Sequence, residues 1–219
     1  AGYRDLEEIL RSGETLKAGD KVYAVNMNKM LALFRIGERP ISEGMNILGA
    51  HIDSPRLDLK QNPLYESDGF AMMDTHYYGG VKKYQWVTIP LSLYGVVVKK
   101  DGTVVDVMIG EDENDPVVGV TDLLIHLSAD QLQKTAAKVI EGENLDLNVG
   151  SIPLDDEEKE TVKRNILKLL QEKYDIEEED FLSAEIEVVP TGKARDFGID
   201  RSMVMGYGHD DRVCAYTSL

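Results

Sequence analysis

The sequence predicts an α/β fold in which a platform, residues 1–71 and 183–219, is interrupted by a mixed β/α insert, residues 72–182. Two observations predict this division. The first part of the platform alternates between helical periodicity and short apolar runs of strand type, which is typical of α/β proteins. Within the insert the character changes, because several β-rich runs come first and helical segments follow.

The composition is that of an ordinary globular protein with a strong negative charge. The 219 residues include 24 Lys and Arg against 40 Asp and Glu, which gives a formal net charge of −16. Such a charge repels phosphates, so we expect neither nucleic acid nor an anionic membrane surface as a partner. No apolar run approaches the ~18 residues of a membrane span. The single cysteine, Cys214, allows no internal disulfide and favours a reducing, cytoplasmic location.

Three elements are predicted in the first part of the platform. Apolar residues at helical spacing predict a helix over Tyr3–Ser12. Two apolar runs, Lys21–Asn26 and Lys29–Ile36, flank a short polar turn and predict a β-hairpin. The apolar run Met45–Asp53 ends in polar residues, which is typical of a buried central strand with chemistry at its carboxyl end.

The later elements are predicted from turns, caps and one clear apolar stripe. Asp101-Gly102 is a strong hairpin turn. Asp155 and Glu158 suit the start of a helix with a capping box. The predicted elements are the strands Ser92–Lys99 and Thr103–Ile109, the helices Asp130–Ile140 and Asp155–Tyr174, the strand Phe181–Pro190, and a final helix opening at Asp211–Leu219. That final helix has no stop signal, so we expect a piece of a longer protein; the alternative is a helix frayed at a true terminus.

Two candidate sites stand at the ends of strand-like segments. His51 and Asp53 are two residues apart, so in an extended chain both side chains face one side, and the carboxylate could fix an imidazole that binds a metal. The alternative is a surface histidine near an aspartate by chance. Asp210 and Asp211 form an acidic pair, and a carboxylate can bridge two divalent cations; the alternative is a helix N-cap. Neither HExxH, CxxC, a Walker loop nor GxGxxG occurs.

His126 lies in an apolar run, where a histidine is most simply a core or interface residue.

Several sequence blocks, in order along the chain, resemble the aspartyl aminopeptidase and vacuolar aminopeptidase I family of dodecameric metallo-aminopeptidases. These blocks are residues 49–57 (GAHIDSPRL), 78–80 (YGG) with the following Trp86, 123–127 (LLIHL), 189–196 (VPTGKARD) and 208–212 (GHDDR).

The resemblance implies a zinc exopeptidase-like platform, an insert that dimerises, and a peptide-cleaving site with two zinc ions, for which cobalt or manganese could substitute. His51 would bind one zinc ion, Asp53 would hold its ring, and Asp210 would bridge both ions. Asp211 would follow across a peptide bond that is often cis in related enzymes. His126 would reach into a neighbouring subunit's active site.

One departure limits what the resemblance implies. The family's general-base glutamate and its remaining metal ligands come after the bridging aspartate, and this chain holds none of them. We therefore expect aminopeptidase activity of a longer parent protein and none of these 219 residues alone. The rival hypothesis is a non-catalytic acidic oligomerisation module in which the histidines and aspartates are structural.

Overall fold

The computed structural model describes residues 2–155 and 158–218 and divides the chain into two compact units, Ala1–Gly49 and Ala50–Leu219. The fold is mixed α/β. The first unit contains strand β1 (Arg4–Asp5), helix α1 (Leu6–Ser12), and strands β2 (Lys21–Asn26) and β3 (Met30–Arg35). The second contains the strands β4 (Arg56–Ser67), β5 (Phe70–Tyr78), β6 (Leu91–Val98), β7 (Val104–Ile109), β8 (Leu147–Gly150), β9 (Ala184–Pro190), β10 (Arg195–Phe197) and β11 (Met203–Met205), and the helices α2 (Thr161–Tyr174) and α3 (His209–Ser218).

The first unit is a three-stranded sheet with one helix. Its strand order is β1-β2-β3, with β1 parallel to β2 and β2 antiparallel to β3. The predicted hairpin is confirmed. Its turn is closed by the Lys29 amide, which donates to the Asn26 carbonyl at 3.0 Å, and Met27 and Asn28 have φ values of 52° and 54°, the positive values of a type I′ turn. The predicted first helix is also present. It begins at Leu6 because the Asp5 carboxylate accepts a hydrogen bond from the Glu7 amide at 2.7 Å and caps it.

The second unit is built on a six-stranded antiparallel sheet of order β7-β6-β9-β4-β5-β8. Its core includes Leu57, Leu91 and Val188, which are fully buried where β4, β6 and β9 meet. The hairpin turn at Asp101-Gly102 is present between β6 and β7, with Gly102 at φ 85°. Strands β4 and β9 lie in the predicted platform, yet they share this sheet with strands of the predicted insert. The domain boundaries at residues 72 and 182 stay a prediction.

Helix α2 is present but begins later than predicted. The prediction of a helix start with a capping box at Asp155 and Glu158 is wrong, because the helix does not include these two residues. Residues 156–157 of the predicted helix lie outside the described residues. The helix starts at Thr161, where the Glu66 carboxylate on β4 accepts hydrogen bonds from the amides of Val162 and Lys163 at 2.9 and 3.0 Å. A side chain distant in sequence thus satisfies the free amides of the helix end.

Two predicted elements are wrong. Residues 45–53 form no strand, and apolar side chains there, such as Ile47 and Leu48, are exposed. A strand needs neighbours to take up its backbone hydrogen bonds, and none of the described pairings includes these residues. The predicted helix Asp130–Ile140 is reduced to a 3-10 turn at Gln131–Gln133, because the segment presents few side chains to the core.

The segment after β9 forms the short antiparallel hairpin of β10 and β11 before it enters α3. The predicted final helix is confirmed as α3, with Leu219 outside the described residues. In the described part of the chain, no helix is both long and apolar enough to cross a bilayer.

Candidate metal centre

Two irregular segments carry the candidate ligands. His51 and Asp53 lie directly before β4, and Asp210 and Asp211 lie at the start of α3. The backbone at these two aspartates is not helical, with φ/ψ of −89°/109° and −122°/34°, and the peptide bond between them is cis, as the resemblance implies. The carboxylates therefore leave the chain before the regular helix begins.

The two segments converge in space. One ligand-type atom from each of His51, Asp210 and Asp211 lies within 4.8 Å of the other two. The closest contact joins His51 Nε2 to Asp211 Oδ2 at 2.9 Å. An imidazole nitrogen and carboxylate oxygens are donors that zinc accepts, so the arrangement can hold a divalent cation.

Asp53 holds the other side of the imidazole. His51 Nδ1 lies 3.2 Å from both the backbone oxygen and the Oδ1 atom of Asp53. The Tyr78 hydroxyl donates to the Asp53 Oδ2 atom at 2.6 Å, and the Arg56 guanidinium lies 4.2 Å above the Tyr78 ring. An Nδ1–H bonded to Asp53 leaves Nε2 as the ligand atom, which is the usual arrangement of metal-binding histidines.

The electrostatics of the cluster favour positive charge. Desolvation lowers the pKa of His51, but the Asp53 backbone and the charges of Asp211 and Asp53 outweigh it and leave the pKa raised. The Tyr78 hydrogen bond is the main cause that lowers the pKa of Asp53 and keeps this carboxyl ionised. The negative groups that favour a protonated imidazole also favour a divalent cation beside it.

A cleft of about 390 Å³ opens beside the cluster. Asp53 and Arg212 line it together with Tyr207 and residues at the end of β9. Asp53 contacts His51 and also lines this cleft, so it connects the cleft to the candidate metal centre.

The structure brings together three of the four predicted site residues. His51 and Asp210 share the cluster, and Asp53 contacts His51. His126 does not join it. His126 lies exposed in a 3-10 turn, Ile125–Leu127, and has no hydrogen-bond partner among the residues that the structure describes.

Sequence reasoning missed one residue of the site and one contact. Asp211 was recognised as half of an acidic pair, but its contact with His51 was not foreseen, and its carboxylate is the one nearest to His51. Tyr78 was part of a recognised block, but nothing in the spacing indicates that its hydroxyl reaches Asp53.

The site and the fold together define a class of protein. A histidine beside paired carboxylates in a mixed α/β fold is typical of a metal-dependent hydrolase. A model of the family described as aminopeptidase I zinc metalloprotease, M18, matches residues 1–219. The chain belongs to this family, and the resemblance seen in its motifs is confirmed.

Relatives and solved structures agree with this family. "Probable M18 family aminopeptidase 1" of Clostridium acetobutylicum is 68% identical over 219 residues, which are 100% of this chain and 47% of that protein. The crystal structure of aminopeptidase I from Clostridium acetobutylicum is 69% identical, with a TM-score of 0.91 over 99% of this chain and 48% of that one. The S. cerevesiae mApe1 dodecamer structure, 20% identical with a TM-score of 0.63 over 92% and 44%, is similar in fold alone. The chain spans about half the length of the curated relatives it matches.

Proposed function

We propose that this chain forms the N-terminal half of a metal-dependent aminopeptidase, which releases residues from the amino ends of peptides. The observation that carries the proposal is the convergence of His51, Asp210 and Asp211 within 4.8 Å. Family membership supplies the reaction class, and the cleft beside Asp53 supplies a place for a peptide.

The donor set fits zinc, the metal that the family description names. Imidazole nitrogen and carboxylate oxygen are common zinc ligands, and each zinc ion takes about four ligands. We propose two ions, for which three side chains are too few. The remaining ligands, and the general base, come from the other half of the relatives' length. Cobalt and manganese also accept these donors and are proposed as substitutes.

Each residue of the cluster has a proposed task. His51 binds one ion through Nε2, while Asp53 orients the imidazole through Nδ1. Asp210 would hold both ions through its carboxylate, and Asp211 borders the same site. When bound, the metal pair supplies an activated water and polarises the scissile carbonyl. Asp53 keeps its contact with Nδ1 when the ion is bound, whereas the 2.9 Å contact of Nε2 with Asp211 gives way to the ion.

We propose that the insert, residues 72–182, mediates dimers and a dodecamer, and that His126 reaches a neighbouring subunit's active site. The segment around His126 supports this, because Leu124, Ile125 and Leu127 are all about two-thirds exposed. A monomer gains nothing from such an apolar surface, whereas a subunit interface buries it. The S. cerevesiae neighbour is described as a dodecamer.

A cytoplasmic location is proposed from the single cysteine.

The test uses the full-length protein loaded with zinc, and leucine and aspartate amides as substrates. We expect amide hydrolysis that is lost on chelation, returns with zinc, and does not occur when the substrate's amino group is acetylated. The 219-residue chain alone is expected to be inactive in the same assay. A zinc-free, inactive full-length protein that still self-associates would instead support a non-catalytic acidic oligomerisation module.

A further inference from the structure

Tyr207 connects the two segments that carry the candidate ligands. Its hydroxyl donates a hydrogen bond to the Pro55 carbonyl at 2.8 Å. Tyr207 stands three residues before Asp210, and Pro55 stands two residues after Asp53. Both ligand-bearing segments are irregular where they meet, so no ladder of strand hydrogen bonds fixes their separation within the described residues.

The Tyr207 ring packs against the buried core. It meets the ring of Trp86 edge-on, with the centroids 6.5 Å apart and the planes at 86°. Trp86 belongs to the buried core. Edge-to-face contacts of this kind fix ring orientation as well as burying apolar area. The core therefore sets the direction in which the Tyr207 hydroxyl points.

Pro55 also has a second contact, with the turn after β5. A Cβ atom added at Gly79, in the turn after β5, would lie 3.4 Å from the Pro55 Cα atom, so the turn packs closely on Pro55. Pro55 thus contacts both this turn and the Tyr207 hydroxyl. Movement of either contact would shift the chain that carries His51 and Asp53.

We propose that Tyr207 is a positioning residue for the metal centre, which sets the separation of His51 from Asp210 and Asp211 through its hydrogen bond to Pro55. This inference rests on the proposed function. Metal sites require their ligands to be held to within about 0.5 Å, which irregular segments do not achieve without such support. In this role Tyr207 acts through Pro55 and does not touch the metal, although its ring also lines the proposed substrate cleft.

The test compares two tyrosine-to-phenylalanine substitutions in the full-length protein. Tyr207→Phe keeps the ring against Trp86 and removes only the hydroxyl. The control is Tyr174→Phe, which also removes a hydroxyl bonded to a backbone carbonyl, that of Met108 on β7. Zinc affinity is measured by chelator competition, thermal stability by circular dichroism, and kcat at saturating zinc.

We expect Tyr207→Phe to weaken zinc binding about tenfold, the low end for residues that support a metal ligand. Its melting temperature should fall no more than that of Tyr174→Phe, and excess zinc should restore most of kcat. Tyr174→Phe should bind zinc like the wild type. Wild-type zinc affinity in Tyr207→Phe, or an equal loss in both variants, would overturn this inference alone. A wild-type protein without zinc would overturn the proposed function first.

Discussion

Replacing His51 by alanine in the full-length protein is expected to remove zinc from the site and to lower aminopeptidase activity by at least about 100-fold. The substitution deletes the nitrogen donor that lies 2.9 Å from Asp211 and leaves carboxylates alone to hold the cation. Residues that merely support a metal ligand already cost about 10–100-fold when replaced, so the loss of a ligand should cost at least the upper value.

The measurement combines metal analysis of the purified variant with hydrolysis rates across a range of added zinc. His76→Ala is the matched control, because His76 is another exposed histidine, on β5, outside the cluster. It should keep both zinc and activity. Unchanged zinc content and rate in His51→Ala would remove His51 from the site.

Replacing Gly95 by alanine is expected to destabilise the second unit by about 3 kcal/mol, the upper part of the usual range for overpacking. Gly95 lies on β6 opposite Ile186 of β9. An added Cβ atom would lie 2.0 Å from the Glu185 carbonyl oxygen and 2.7 Å from the Ile186 Cα atom. Both are backbone atoms of the paired strand, so the strands must separate to admit the methyl group.

Urea unfolding of the 219-residue chain, followed by fluorescence of its single tryptophan, measures this effect. Trp86 is buried in the core of the same unit and reports directly on it. Gly80→Ala is the control, since its added Cβ atom meets nothing within 4 Å and its φ lies outside the left-handed region. Equal midpoints for both variants would mean that β6 and β9 are not packed as described.

Elements fixed by local interactions were predictable from the sequence. The hairpin of β2 and β3 and the turn at Asp101-Gly102 depend on neighbouring residues, and both were predicted correctly. The apolar stripe of α2 was also recognised, although Leu169 on it proved half-exposed. The start of α2 was not predictable, because Glu66, which caps it, lies on a strand far away in the sequence.

The failed strand at residues 45–53 has a different cause. Its apolar pattern is real, but a pattern cannot show whether partners are present for the backbone groups. The candidate site, too, could be predicted only in part, because some of its contacts join segments that are distant in the sequence. Motif order indicated His51, Asp53 and Asp210, whereas the roles of Asp211, Tyr78 and Tyr207 depend on contacts between distant segments.

The most direct test of the proposed metal centre is the location of zinc in crystals of the full-length protein, from anomalous scattering at the zinc edge. We predict an anomalous peak about 2.0–2.2 Å from both His51 Nε2 and an Asp210 carboxylate oxygen, the usual zinc–ligand distances. Zinc bound elsewhere, with His51 and Asp210 contacting only protein or solvent, would contradict it.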